Sequence, residues 1–308
     1  MQQKLGYQRI LKMHTDRKLP ALSRIIDDDA PLDQIAQGLS FGEGPVWDRR
    51  NGYLYWVEII GNTLWRYKPG VGREIVMKPT GHINGLTFDK EGRLLVAGWC
   101  TRKILRFEHD GSISTIAEKW RNIKFNSPND IVMHSDGSIY WTDSAGGLVI
   151  PGMVAEDVQR YLDVQGVFRL SPDGKDVSLL VDDCNYPNGL VFSPDEKTFY
   201  VNETRLGLIR AFDFNSDGTV GPARIFYTLV GSEGGVADGM KVDIEGNVYC
   251  TGPGGVHIIS PQGELLGRLR IPGHCTNMAF GEEDWCTLFV TTFNSVYRTR
   301  VKIPGVAV

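Results

Sequence analysis

Apolar stretches alternate with short polar breaks along nearly the whole chain, and one unit of this pattern returns six times. Each copy opens on a polar residue, continues as an apolar stretch, turns at an acidic or Gly-bearing break and ends in a second apolar stretch. The copies begin at Glu43 (FGEGPVWDRRNGYLYW), Asn84 (HINGLTFDKEGRLLVAG), Asn129 (SPNDIVMHSDGSIYWTD), Asn188 (YPNGLVFSPDEKTFYVN), Asp238 (VADGMKVDIEGNVYCTG) and Asn277 (CTNMAFGEEDWCTLFVT). Starts lie 39 to 59 residues apart, the period of four-stranded propeller blades. Within a copy, runs such as INGLTF and RLLVAG flank a turn, DKEG, of the kind that joins hairpin strands. Third strands follow as TLWRYK, KILRFE, GVFRLS, LIRAFD, GVHIIS and SVYRTR, and fourth strands as EIVMK, STIAE, SLLVD, ARIFY and GRLRI.

Six copies have only five fourth strands after them. The segment LDQIAQG, at residues 32–38, resembles the missing one and precedes the first copy. Paired beside the last three strands it closes the ring and removes an exposed sheet edge. The pattern therefore predicts an all-β fold, a six-bladed β-propeller over residues 32–308 closed by an N-terminal strand pairing with the last blade. Residues 1–31 form an N-terminal extension, expected to hold one helix around Leu11. The insertion between Asp143 and Gly166 is long enough to cover the mouth of the ring.

Composition narrows the function classes. Apolar residues at 42% and charged residues at 23% suit a globular chain with a real core, and 36 glycines suit many tight turns. A net charge of −4 with scattered basic residues gives no footprint for nucleic acid. No run approaches the roughly 20 apolar residues of a membrane span, and the charged N-terminus lacks a secretory core. Five cysteines without C-x-x-C spacing exclude a zinc ribbon and a disulfide framework, and point to a cytoplasmic location. Nucleophile-elbow, P-loop and dinucleotide motifs are missing.

In a propeller the first strand of each blade lines the central channel, so the six leading residues gather at one end of it. Glu43, Asn129, Asn188 and Asp238 then form an all-oxygen set suited to Ca²⁺, Mg²⁺ or Mn²⁺, with positions left for water and substrate. Singly, such residues serve as often to start strands or cap turns; four in equivalent places favour a site. Pro precedes Asn129 and Asn188, extending the entry to each strand. Gly follows Glu43, Asn188 and Asp238, which would let an ion or ligand approach the backbone. Asn84 and Asn277 take the same place in their blades, with substrate contact, support of the site or plain structure all open. His82 is the histidine nearest the expected mouth, as a structural residue or a substrate contact, and His274 also approaches it. Cys184 reads as a buried hydrophobe.

FGEGPVWD, NSPNDIVMHSDGSIYWTD, PNGLVFSPDEKTFYVNET and ADGMKVDIEGNVYCTGPGGVHIISPQGELLGRLRIP resemble the gluconolactonase and senescence-marker-protein (regucalcin) family. The resemblance runs from about residue 33 to residue 300. It implies a six-bladed propeller and one divalent metal ion held by Glu43, Asn129, Asn188 and Asp238, Ca²⁺ first, with Mg²⁺, Mn²⁺ or Zn²⁺ as alternatives. It implies hydrolysis of a small-molecule sugar lactone, the metal polarising the carbonyl and Asp238 acting as general base. Asn126, on the entry to the third blade, becomes a candidate for binding sugar hydroxyls together with Asn129, Asn84 and His82. Animal members carry an Arg where this chain has Ser127, and the squid-type fluorophosphatase holds a second calcium with an Asp where this chain has Lys241. WTDSAGG also replaces the T-D-P-P-Y-G run of bacterial gluconolactonases. The alternatives are an organophosphate or phosphoester hydrolase of the same fold, or a non-enzymatic calcium- or ligand-binding propeller.

Overall fold

A computed structural model describes residues 9–307. Six small antiparallel sheets stand in a ring, four of them built from strands consecutive in sequence and two taking in N-terminal strands as well. The first blade is Gly42–Asp48, Tyr53–Glu58, Thr63–Lys68 and Gly72–Met77. Burial explains the order of strands within a blade. The innermost strand of this blade is buried at every position, whereas its outermost strand is largely exposed. An inner strand has neighbouring blades against both faces, so it reads as a continuous apolar run rather than an alternating one. The interfaces between blades carry the core: Trp47 of blade one stacks on Phe289 of blade six with centroids 5.7 Å apart, and Tyr140 of blade three meets Phe192 of blade four edge-on at 5.2 Å.

The ring closes as the pattern predicts. Pro31–Gln37 pairs antiparallel with Ser295–Arg300, and Asp33 and Arg298 form an ion pair across the junction. The expected helix around Leu11 is corrected. Leu11 lies in the strand Arg9–Lys12, which pairs with the closing strand, Leu11 opposite Leu32. The chain then crosses to the neighbouring blade, where His14–Arg17 pairs with Leu265–Arg270. Two free sheet edges offer unpaired N–H and C=O groups, and this segment satisfies both, which outweighs its weak helical pattern. Met13, at the crossover, is fully buried. The helix of this region is the single turn Leu22–Ile25. The first eight residues of the expected extension lie outside the described residues.

Close packing of the blades has a further cause in glycine. A Cβ on Gly44 would run into the Asn84 carbonyl, one on Gly85 into that of Asn129, and one on Gly189 into that of Asp238. Gly85 and Gly189 donate their N–H groups to those carbonyls, at 2.8 and 2.9 Å. These glycines therefore let one blade approach the next, which corrects the expectation that they open the backbone to an ion or ligand. The third copy has Asp130 and the sixth Met278 where the other four have this glycine, and the Asp130 side chain is buried.

Candidate active site

The six leading residues are all buried, with exposures between 2% and 7%. A local device aims several of them inward. The pairing register slips between Glu43 and Val46, between Pro128 and Ile131, and between Pro187 and Leu190. Such bulges re-aim side chains at one end of a strand, here toward the channel. Glu43, Asn84, Asn129, Asn188 and Asp238 line the floor of one cavity of about 340 Å³. The four expected metal-binding residues are thus brought together, with Asn84 beside them.

Each floor side chain is held by a named partner. Glu43 Oε2 accepts from the Gly44 N–H at 2.7 Å and from Asn277 Nδ2 at 3.0 Å. Asn277 itself does not line the cavity; it positions Glu43. Asn188 Nδ2 donates to Thr204 Oγ1 at 3.1 Å, and that hydroxyl donates on to the Ala237 carbonyl at 2.6 Å. Asn84 Nδ2 donates to Asn129 Oδ1 at 2.8 Å, while Asn84 Oδ1 is buried without a partner.

Glu43 and Asp238 meet within hydrogen-bonding reach, and both titrate above the ordinary carboxylate range. Glu43 is raised to about 7, chiefly by burial and next by the negative charge of Asp130 among the effects that raise it; the bonds from Gly44 and Asn277 and the charge of Lys241 oppose the rise. Asp238 is raised by burial first and by the Glu43 charge second. Two carboxyls sharing a dry site cannot both ionise cheaply without a counter-charge. Such a pair, with amide oxygens beside it and the unpartnered Asn84 Oδ1, fits a hard divalent cation. Glu43, Asn129, Asn188 and Asp238 are the residues that could hold one. Among the described residues, no three His, Cys, Asp or Glu side chains form a metal cluster by themselves, as expected of a donor set half made of amides.

The residues expected at substrate divide. Asn84 and Asn129 face the cavity. His82 does not line it: its Nδ1 lies 2.7 Å from the Ile59 carbonyl, and it borders a separate outer groove. Asn126 is fully buried outside the lining, with Nδ2 donating to the Val164 carbonyl at 2.8 Å. His274 lines the cavity with its ring stacked on Phe293, centroids 4.1 Å apart. Cys184 is half-buried, and burial pushes its thiol up to about 12, so it stays protonated.

The insertion within blade three, between the strands Ile139–Ser144 and Gly166–Leu170, covers the cavity as expected. Its single helical turn, Gly146–Val149, and the residues Ile150 and Met153 roof the floor. Gly146 and Gly147 are required there. A Cβ on Gly146 would strike the Trp99 ring and the Tyr186 hydroxyl; one on Gly147 would strike Ser127 Oγ. Tyr186, which sequence reasoning missed, precedes the fourth copy with φ at 66°, and its hydroxyl is raised to about 12 by burial first and the nearby Asp238 second.

Against this geometry, the family model for the SMP-30/Gluconolactonase/LRE-like region matches residues 41–294. The chain belongs to that family. It is similar to a gluconolactonase of Zymomonas mobilis, 32% identical over 309 aligned residues, covering 93% of this chain and 85% of that one. A pentonolactonase of Haloferax volcanii is 28% identical, with 88% and 84% covered. The solved structure of a gluconolactonase from Xanthomonas campestris superposes with a TM-score of 0.89 at 28% identity, covering 97% of this chain and 99% of that one. Within the family frame, the two departures gain physical roles. Ser127 Oγ donates to the Trp99 carbonyl and accepts from the Gly147 N–H, both at 3.0 Å, and so clamps the roof to blade two. Lys241 brings a positive charge toward Glu43 and Asp130, the opposite of what a second acid-rich calcium site requires.

Proposed function

We propose that this protein is a divalent-metal-dependent lactonase that opens a small-molecule lactone to its hydroxy acid. The observation that carries the reading is the pair of buried carboxyls, Glu43 and Asp238, meeting beside Asn129 and Asn188 on the floor of a roofed cavity. The gluconolactonase and pentonolactonase relatives support the reaction class, with sugar lactones as the first substrates to try. Glu43, Asn129, Asn188 and Asp238 are the ligand set, Ca²⁺ being favoured by four hard oxygens, with Mg²⁺, Mn²⁺ and Zn²⁺ as alternatives. When bound, such a cation supplies Lewis-acid polarisation of the lactone carbonyl.

The chain's own groups do the rest. Asp238 takes a proton from water as the water oxygen bonds to the carbonyl carbon. The ring C–O bond then breaks, and the proton passes to the departing alkoxide. Glu43, fixed by Gly44 and Asn277, balances charge. The Thr204 hydroxyl orients Asn188, and Asn84 orients Asn129. His82 and Asn126 support the walls in this scheme, and substrate contact falls to Asn84 and Asn129. Five free thiols favour a reducing compartment, and we place the enzyme in the cytoplasm.

The test is an assay of metal-stripped protein on D-glucono-1,5-lactone with Ca²⁺, Mg²⁺, Mn²⁺ and Zn²⁺ restored singly. Hydrolysis restored by one ion upholds the reading and names the ion. Turnover undiminished after stripping removes the metal from it. A protein that binds metal yet hydrolyses only organophosphates, or nothing, replaces it with one of the two alternative functions.

A further inference from the structure

We propose that the cavity selects a lactone bearing an apolar substituent, an alkyl or aryl group on the ring carbon that carries the ring oxygen, over a polyhydroxylated one. This rests on the lactonase reading of the floor and adds to it the class of substrate. The argument is a separation of chemistries within one cavity. Carboxyl and amide side chains are confined to the floor, where the ester carbonyl must lie. The roof and rim present Ile150, Met153, Ile59, Phe41 and Phe293, with Val149 at the mouth, 61% exposed.

The backbone of the roof offers little in place of polar side chains, because its groups are turned on each other. The Ala155 N–H donates to Gly147, Ile150 to Gly146 and Met153 to Ile150. The Met153 carbonyl already accepts from Trp99 Nε1 at 2.8 Å and from the Cys100 thiol at 3.1 Å. Three polar side chains border this wall: the His274 ring lies flat on Phe293, the exposed Arg205 guanidinium sits 5.4 Å from the Tyr186 ring centre, and the Tyr186 hydroxyl bonds Ser144. Hydroxyls of a sugar ring turned toward Ile150, Met153 and Ile59 would lose water there without recovering their hydrogen bonds, whereas an alkyl chain loses nothing and gains burial.

The experiment compares kcat/KM for δ-decalactone, δ-valerolactone and D-glucono-1,5-lactone on the intact protein loaded with its best divalent ion. The expected result is that δ-decalactone exceeds both others by about tenfold or more. Val149→Ser, at an exposed position where the fold is not at stake, and Ile150→Asn then narrow the preference for δ-decalactone over δ-valerolactone by about threefold to tenfold. Glucono-lactone turned over as well as or better than δ-decalactone overturns the substrate class and leaves the lactonase reading standing. If none of the three is hydrolysed with any ion, both fall.

Discussion

The floor and the roof of the cavity are fixed by different means. On the floor, each polar residue begins a blade, and all but Asn129 are followed by a glycine packed against the next blade, as between Gly189 and Asp238. The roof belongs to one segment outside the repeat, pinned through Ser127 and Trp99 to blades two and three. A ring of equivalent parts positions the floor groups, whereas a single clasp positions the roof. The floor is thus suited to chemistry that tolerates little displacement, and the roof to variation in what is bound.

Substitutions that separate the two regions sharpen this contrast. The largest effect is expected of Asp238→Asn, which removes the proposed base while keeping the side chain's shape: kcat/KM falls about a thousandfold with thermal stability retained. Near-wild-type turnover with unaltered metal content would remove Asp238 from the base role. Next comes Glu43→Gln, expected to weaken divalent-ion affinity about a hundredfold by calorimetry; an unchanged isotherm takes Glu43 out of the ligand set. Its neutral amide also relieves the carboxyl pair, so the metal-free protein should not lose stability.

Glycine substitutions come third. Gly189→Ala forces the Asp238 carbonyl away and should cost about 2 kcal/mol in denaturant unfolding. Gly147→Ala meets the Ser127 hydroxyl in the clasp and is expected to raise KM more than it lowers stability. Equal effects of the two on stability would erase the distinction between ring and clasp.

The smallest effect is one of pH. The folded value for Glu43, about 7, lies above its ordinary 4.5, so the folded metal-free protein holds a proton that the unfolded chain releases. Its contribution is present below pH 4.5 and is lost as pH rises through 7. The metal-free melting temperature should therefore drift down across that window, while divalent-ion affinity rises as the competing proton leaves. A melting temperature that falls across the window by as much with Glu43→Gln as without it would assign the pH dependence to other groups.

The contrast also governs what could be read in advance. The blades, their hairpins and the closing strand follow from a period that the chain repeats, and Glu43, Asn129, Asn188 and Asp238 were legible because each opens a copy. The roof follows no period. Its length was visible, but the pinning through Ser127 depends on where blades two and three fall in space. Tyr186 carries no signal beyond its place before a copy, whereas Asp130 does: it is an acid aligned with Gly44, Gly85, Gly189 and Gly239 and with the apolar Met278. The segment around Leu11 misled because its edge-strand role depends on the closing strand, itself docked on Ser295–Arg300, and on Leu265–Arg270, both far along the chain. The partners of His82 and Asn126, the Ile59 and Val164 carbonyls, come from loops that no local pattern records.

The closing seam has a consequence for how the protein is made. Pro31–Gln37 enters the last blade by pairing with Ser295–Arg300, far along the chain, so it must wait until the blades between them have been made. Until then the edge it presents to Ser295–Arg300 stands open. The short strands Arg9–Lys12 and His14–Arg17 then act as a latch over the finished seam. A chain without Ser295–Arg300 would keep every floor residue and still have no closed ring to hold them.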